Sequence, residues 1–464
     1  MGSSGSSDSP ASVAAQIAAQ HTSDSATYEH PRSNTCVVFG DSWSAQCQTQ
    51  SGAAGAYGSI LYNGTRGYMT WANAFLGQRL AVLKYAGIAG QTTAQYLARF
   101  TTDVVALAPG WVFVASPGIN DKGTGTPVAT TQANLTAMFD LAKAAGIRVV
   151  ILGMPPKSSP ADATDTLLSY PGLLNQWLKR QATLRSDLIY IDTFSVLGDG
   201  GATGEWLNPT VSNPTDLTSD GIHPATRGAA AIGWQIFQAV KNLIPPTDVL
   251  AFGNADTGAS GASIAPNFAP GPYFSSGAVA GSALLGTSGS VPTGWQLTTA
   301  DGSTVDGTVV GSIVAATTVD PTDIYGAPWW RIAITGCSKP VKLYGQVPGG
   351  RNAVIVPGDT MQGTAEVVFG TGIAVTANVS LQAGMFNGSF ANIISQDLTG
   401  GSVDNWPSEL GQIRTVLRTP PVVVGASVVG HYLILVVGGN VANPLTASIY
   451  VRRPGLWRNA PMGV

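Results

Sequence analysis

From Thr35 to Pro246 short apolar runs alternate with stretches of helical spacing, and after Pro245-Pro246 the helical spacing stops. "CVVFG", "AVLKYAG", "WVFVASPG", "IRVVILGMPP" and "LIYID" read as strands. Between and after them, "WANAFLGQRL", "TAQYLARFTTDVVAL", "QANLTAMFDLAKAAG", "LLNQWLKRQATL" and "ATRGAAAIGWQIFQAVKNLI" read as helices. The third of these ends on Gly146, a residue suited to stopping a helix. Apolar strands separated by helices predict a parallel sheet covered on both faces. In such a sheet chemistry lies beyond the carboxyl ends of the strands.

The second half is punctuated by Gly and Ser and carries alternating segments: "GTAEVVF", "VTANVSLQAG", "HYLILVV" and "TASIYVRR". Short strands with frequent turn signals predict a β-sandwich or jelly roll. The expected organisation is a tail over 1–33, an α/β domain over 34–246 and an all-β sandwich over 247–464. The Gly/Ala/Ser-rich stretch 252–294 reads as partly linker, and "MGSSGSSDSPAS" reads as an expression tag.

Charge excludes some partners. With 11% charged residues and a net charge of -3, the chain has no basic field for nucleic acid or an anionic membrane. Three cysteines (Cys36, Cys47, Cys337) form no CxxC, so neither a disulfide framework nor a thiolate zinc site is expected. No apolar run is long enough to span a bilayer. No metal or other cofactor is suggested.

The first strand runs into "FGDSW", which places Ser42 where such a sheet displays reactive groups. No GxSxG elbow occurs, and a serine in an Asp-Ser turn can equally cap a helix. A serine nucleophile needs a base, usually histidine. His21 and His30 lie in the tail and His431 in the β half, which leaves His223 as the α/β half's only histidine. It sits in "SDGIHPATRG", with Asp220 three residues before it. That spacing lets the carboxylate orient the imidazole, as a triad acid does. A helix-entry loop capped by Asp220 has the same pattern. Two further loops offer oxyanion donors: "YAGIAGQTT" with Gly90, and "SPGINDKG" with Gly118 and Asn120. Each also reads as an ordinary turn.

Taken together, "FGDSW", "GIAGQT", "GIND" and "DGIHP" occur in order, each beyond a strand of one sheet. In this respect the chain resembles the SGNH hydrolases, the GDSL family of esterases and lipases, over about 35–244. The resemblance implies a flavodoxin-like three-layer α/β/α fold. It makes Ser42 the nucleophile, His223 the general base and acid, and Asp220 its orienter. The Ser42 N–H, the Gly90 N–H and the Asn120 side chain would form the oxyanion hole. Trp43 stands where the family's name motif has leucine, so it either walls the acyl pocket or packs beneath the serine. The insertion 46–69 is expected as a substrate wall, a lid or a surface loop.

The expected reaction is acyl-ester hydrolysis through an acyl-Ser42 intermediate, on an acylated carbohydrate, acetyl esters above all. A lipase or general small-ester esterase is the alternative. A glycan-binding surface or virion protein with an inactive hydrolase domain is the second. In the β half "VPTGWQL" resembles a segment of carbohydrate-binding modules. Its tryptophans (Trp295, Trp329, Trp330, Trp406, Trp457) are sugar platforms or core. The Trp329-Trp330 pair in a strand should present one indole outward. Candidate substrate contacts are Trp43, Gly118, Asp121, Trp329 and Trp330. A homo-oligomer through the β domain and an extracellular or virion-associated location complete the expectations.

Overall fold

A computed structural model describes residues 33–51, 60–156, 169–198, 217–218, 220–245, 274, 281–323, 326–347, 355–369, 378–386, 390–397, 413–419, 422–426, 428–438 and 444–458. The expected domain boundary near 247, most of the 252–294 stretch, Trp406, His21 and His30 lie outside them.

Five strands form the sheet of the α/β half: β1 (Thr35–Gly40), β2 (Ala81–Gly87), β3 (Trp111–Val114), β4 (Arg148–Leu152) and β5 (Leu188–Ile191). All pairings are parallel and the order is β2-β1-β3-β4-β5. This is the flavodoxin-like order, which reverses direction beside β1 and opens a crevice at its carboxyl end. The apolar strands are buried because helices cover both faces. Along β1, Cys36 and Val38 enter one core and Val37 and Phe39 the other, as the two-residue period requires.

The first core is closed by α2 (Tyr68–Phe75) and α8 (Thr226–Val240). The second is closed by α3 (Thr93–Asp103), α5 (Val128–Ala144) and α6 (Tyr170–Leu184). The remaining helices are short: α1 (Ser42–Ala45), α4 (Ile119–Gly123) and α7 (Thr193–Leu197). One expectation fails locally. The helix read over "WANAFLGQRL" ends at Phe75, because Gly77 and Gln78 turn the chain at φ 64° and 59°. Among the described residues no helix is long and apolar enough to cross a membrane, and all three cysteines are free and buried.

The second half is all β. One sheet is ordered 288–289, 308–314, 329–337, 445–458, 360–369 and 413–418. The other runs 282–283, 295–299, 341–346, 430–438, 378–386 and 390–397. Side chains of both meet in one core, including Trp330, Ile332 and Val451 from the first and Leu343, Leu381 and Leu433 from the second.

The described parts of the insertion after α1 pair into the sandwich, and residues 52–59 lie outside the described residues. Ile60–Asn63 pairs in parallel with Ile393–Gln396, and Thr49–Ser51 pairs with 60–62 beyond it. Among the described residues, the α/β half thus supplies the outermost strands of a sandwich sheet and covers an edge that would otherwise be open. Helix α2 strengthens the junction. Trp71 and Ala74 belong to the sandwich core, and Thr415 Oγ1 donates to the Ala74 carbonyl at 2.5 Å.

Candidate active site

The site begins where β1 ends. Gly40 has φ 144°, and a Cβ there would meet Ser44 Oγ at 2.9 Å and the Ala115 carbonyl at 3.1 Å. Glycine therefore lets the chain turn straight from strand into α1. Asp41 caps that helix by accepting the Trp43 N–H at 3.0 Å. Ser42, the first residue of α1, keeps an N–H with no intrahelical acceptor. Its side chain stands at the carboxyl end of β1, beside the switch point of the sheet.

The loop before α8 brings the base. A Thr218–Pro224 bridge closes it, and Thr218 Oγ1 accepts the Gly221 N–H at 2.7 Å while donating to the His223 carbonyl at 3.0 Å. Asp220 Oδ1 accepts the N–H groups of Ile222 (2.9 Å) and His223 (2.7 Å). Its Oδ2 lies 2.6 Å from His223 Nδ1, and His223 Nε2 lies 2.8 Å from Ser42 Oγ. An ionised carboxylate only accepts, so Nδ1 carries the proton and Nε2 is left to accept the serine O–H. Partial burial pushes the Asp220 pKa up, but the His223 ring and the two backbone donors outweigh it. The carboxyl is held below its ordinary value. Trp43 ties the two segments together, its indole N–H donating to the Ile222 carbonyl at 3.0 Å.

On the other side of Ser42 lie the two glycine-bearing loops. Gly90 is exposed at φ 78° with nothing within 4 Å of its Cβ position, a conformation glycine adopts without strain. Asn120, on α4, donates through Nδ2 to the Gln91 carbonyl at 2.9 Å and more weakly to Asp41 Oδ2 at 3.4 Å. Ser42, Gly90, Asn120, Asp220 and His223 are thus grouped at one end of the sheet. What the sequence pattern did not reveal is the support beneath them. Asp41 is fully buried, and burial above all pushes its pKa up to about 7, against hydrogen bonds from the Trp43 N–H and the Tyr96 hydroxyl. Arg99 lies over the Phe39 ring at 4.1 Å and donates to the carbonyls of Gly40 and Ala86 and to Gln91 Oε1. It thereby clamps the ends of β1 and β2 to the loop that holds Asn120. The only sequence signals were an aspartate inside Gly-Asp-Ser and an arginine on an otherwise ordinary helix.

The five candidate substrate contacts are all buried. Trp43 is wholly buried beneath the serine. Gly118 is buried at φ 98°, and a Cβ there would strike Leu174 at 2.5 Å. Asp121 is 1% exposed and accepts from the Thr93 N–H and hydroxyl and from Thr131 Oγ1, joining α3, α4 and α5. Trp329 and Trp330 do point to opposite faces, yet both are 0% exposed. Trp330 enters the sandwich core, whereas Trp329 is covered by Arg452 at 4.2 Å and Arg414 at 5.8 Å. Trp295 and Trp457 are buried as well, so the described tryptophans of the β half are packing residues.

A doubly wound sheet carrying an Asp-His-Ser relay at its switch point defines a hydrolase-type α/β domain. Residues 38–231 match the GDSL-like lipase/acylhydrolase family. That match lies within the α/β half and covers less than half of the chain, which is thus similar to GDSL-like acylhydrolases and carries an esterase-type hydrolase domain. Similar solved structures include a lipase/acylhydrolase from Enterococcus faecalis (21% identity, 46% of this chain and 99% of that one, TM-score 0.34). A GDSL-like lipase from Bacteroides thetaiotaomicron is 22% identical over 49% of this chain and 98% of its own, with a TM-score of 0.32. A mutant of a Geobacillus acetyl-xylooligosaccharide esterase is 19% identical over 46% and 97%, with a TM-score of 0.35. No curated protein sequence matches the chain.

Proposed function

We propose that the protein hydrolyses short acyl esters, acetyl esters of a carbohydrate in particular, through an acyl-Ser42 intermediate. The observation that carries this reading is the relay Asp220–His223–Ser42, with contacts of 2.6 and 2.8 Å. His223 Nε2 takes the Ser42 proton as Oγ attacks the ester carbonyl, then passes it to the departing alcohol. Asp220 holds the tautomer and stabilises the imidazolium. The Ser42 and Gly90 N–H groups and Asn120 Nδ2 receive the developing oxyanion. Asn120's 3.4 Å contact with Asp41 is long for a hydrogen bond, so that N–H is the one a substrate oxygen takes over. Water then attacks the acyl-enzyme with His223 again as base, releasing the acid and restoring Ser42.

Two observations support a short acyl group. Trp43 and Gly118 are both packed shut, so neither opens an apolar slot beside the serine. Asp220 and Gly90 are exposed, so a bulky alcohol can approach from solvent. Acetate release from a panel of acetylated glycans, with Ser42→Ala as control, tests the reading. A p-nitrophenyl ester series should favour acetate. Preference for eight carbons or more would turn the assignment to a lipase, and unchanged turnover in Ser42→Ala would remove it altogether.

A further inference from the structure

Away from Ser42, a cavity of about 340 Å³ lies between the hydrolase half and the sandwich. That is the size of a small-ligand site. One wall is Leu80 and the edge strand β2 over residues 81–85. Facing it are Gln48 and Asn63 from the insertion, Gln78 from the turn after α2, and Gln362 and Arg418 from the sandwich.

These amides are half used. Gln48 Nε2 donates to Asn63 Oδ1 at 3.3 Å, and Gln362 Nε2 donates to the Thr419 carbonyl at 2.7 Å. Gln78 Oε1 accepts from Asn73 at 3.0 Å. The other end of each (Gln48 Oε1, Asn63 Nδ2, Gln362 Oε1 and Gln78 Nε2) makes no hydrogen bond among the described residues. Gln78 is the most telling, because it is 3% exposed and its Nε2 is buried without a partner. A buried amide N–H left so is costly, and a ligand oxygen would satisfy it. Arg418, 6% exposed, brings a guanidinium to the same wall. A guanidinium fork matches a carboxylate, and amide ends that donate on one side and accept on the other match sugar hydroxyls.

We propose that this interdomain cavity binds a carboxylate-bearing saccharide, with Arg418 on the carboxylate and the Gln48, Asn63, Gln78 and Gln362 amides on the hydroxyls. Because the hydrolase half, its insertion and the sandwich all contribute, the site exists only in the assembled chain. It is independent of the ester-hydrolase reading.

The test is titration calorimetry on full-length Ser42→Ala with digalacturonate, a glucuronate-containing disaccharide, neutral cellobiose and sodium acetate. Saturable one-to-one binding of a uronate is expected, with cellobiose and acetate at least tenfold weaker. Arg418→Gln should erase the preference for the acid. Gln48→Ala, a partly exposed lining position, should weaken uronate binding at least tenfold with an unchanged unfolding transition. It decides the matter if Arg418→Gln fails to fold. No saturable uronate binding, equal affinity for acetate or cellobiose, or full affinity in Gln48→Ala would overturn the proposal. Turnover of p-nitrophenyl acetate by the unsubstituted protein is read separately, so either reading can fail alone.

Discussion

Replacing Asp41 with asparagine should change how stability depends on pH. The carboxyl sits at the start of α1, wholly buried, and burial pushes its pKa from 3.8 up to about 7. Between those two values the folded chain binds more protons at this position than the unfolded chain does. Stability from this group is therefore lost as pH rises from about 4 through 7. A shift of about three units is worth roughly 4 kcal/mol once ionisation is complete in both states, and about 2–3 kcal/mol of it falls between pH 5 and 8. Asparagine cannot ionise and can still accept the Trp43 N–H. Urea unfolding followed by tryptophan fluorescence at pH 5, 6, 7 and 8 should show the variant gaining on the parent by about that amount across the series. A catalytic readout accompanies it. Asn120 would lose its carboxylate neighbour, so kcat on p-nitrophenyl acetate should fall about tenfold, roughly the effect of one modest hydrogen bond. Parallel stability profiles for parent and variant would refute the buried, titrating Asp41.

His431 should act with the opposite sign. It is 2% exposed, and burial, only partly countered by Asp359, lowers its pKa to about 4. Its contribution is complete above about pH 6.5 and lost as pH falls towards 4, by about 3 kcal/mol, and His431→Gln should remove that acid limb in the same unfolding series. Asp220→Asn should lower kcat about 10⁴-fold, measured on a variant whose unfolding transition is unchanged, because the imidazole loses the acceptor that sets its tautomer. Arg452 is buried between Glu366 and Asp323, with its Nε 2.6 Å from Glu366 Oε2. Arg452→Met should cost about 3–5 kcal/mol in urea, since two buried carboxylates are left with less compensation. Adding Glu366→Leu should recover part of that loss.

Much of the α/β half was legible because its information is local. Apolar runs, helical spacing and Gly146 report what a segment does within a few residues of itself. The His-Asp pair was readable for the same reason, since three residues of spacing in a glycine-bearing loop confine Asp220 to the ring it orients. The linking of His223 to Ser42, 181 residues apart, was suggested only by the scarcity of histidine, four in the chain, and the structure places the two side chains 2.8 Å apart. Asp41 and Arg99 gave no comparable signal. Their importance comes from burial and from the ends of separate strands and loops that converge on them.

The β half shows the other limit. Period-two alternation correctly put Trp329 and Trp330 on opposite faces, but alternation says nothing about what covers the outer face. Here Arg452 and Arg414, held by Glu366, Asp320 and Asp323, cover it. The insertion teaches the same point: nothing within residues 46–69 names 390–397 as their partner. The sequence by itself determined the element types, the parallel α/β sheet and the residues available for ester chemistry, because these follow from local periodicity and from the scarcity of histidine. Only the tertiary structure decided which faces are covered, that the hydrolase half supplies strands to the sandwich, and where the interdomain cavity lies. Strand partners and burial are set by contacts between residues hundreds of positions apart, and no local pattern encodes them.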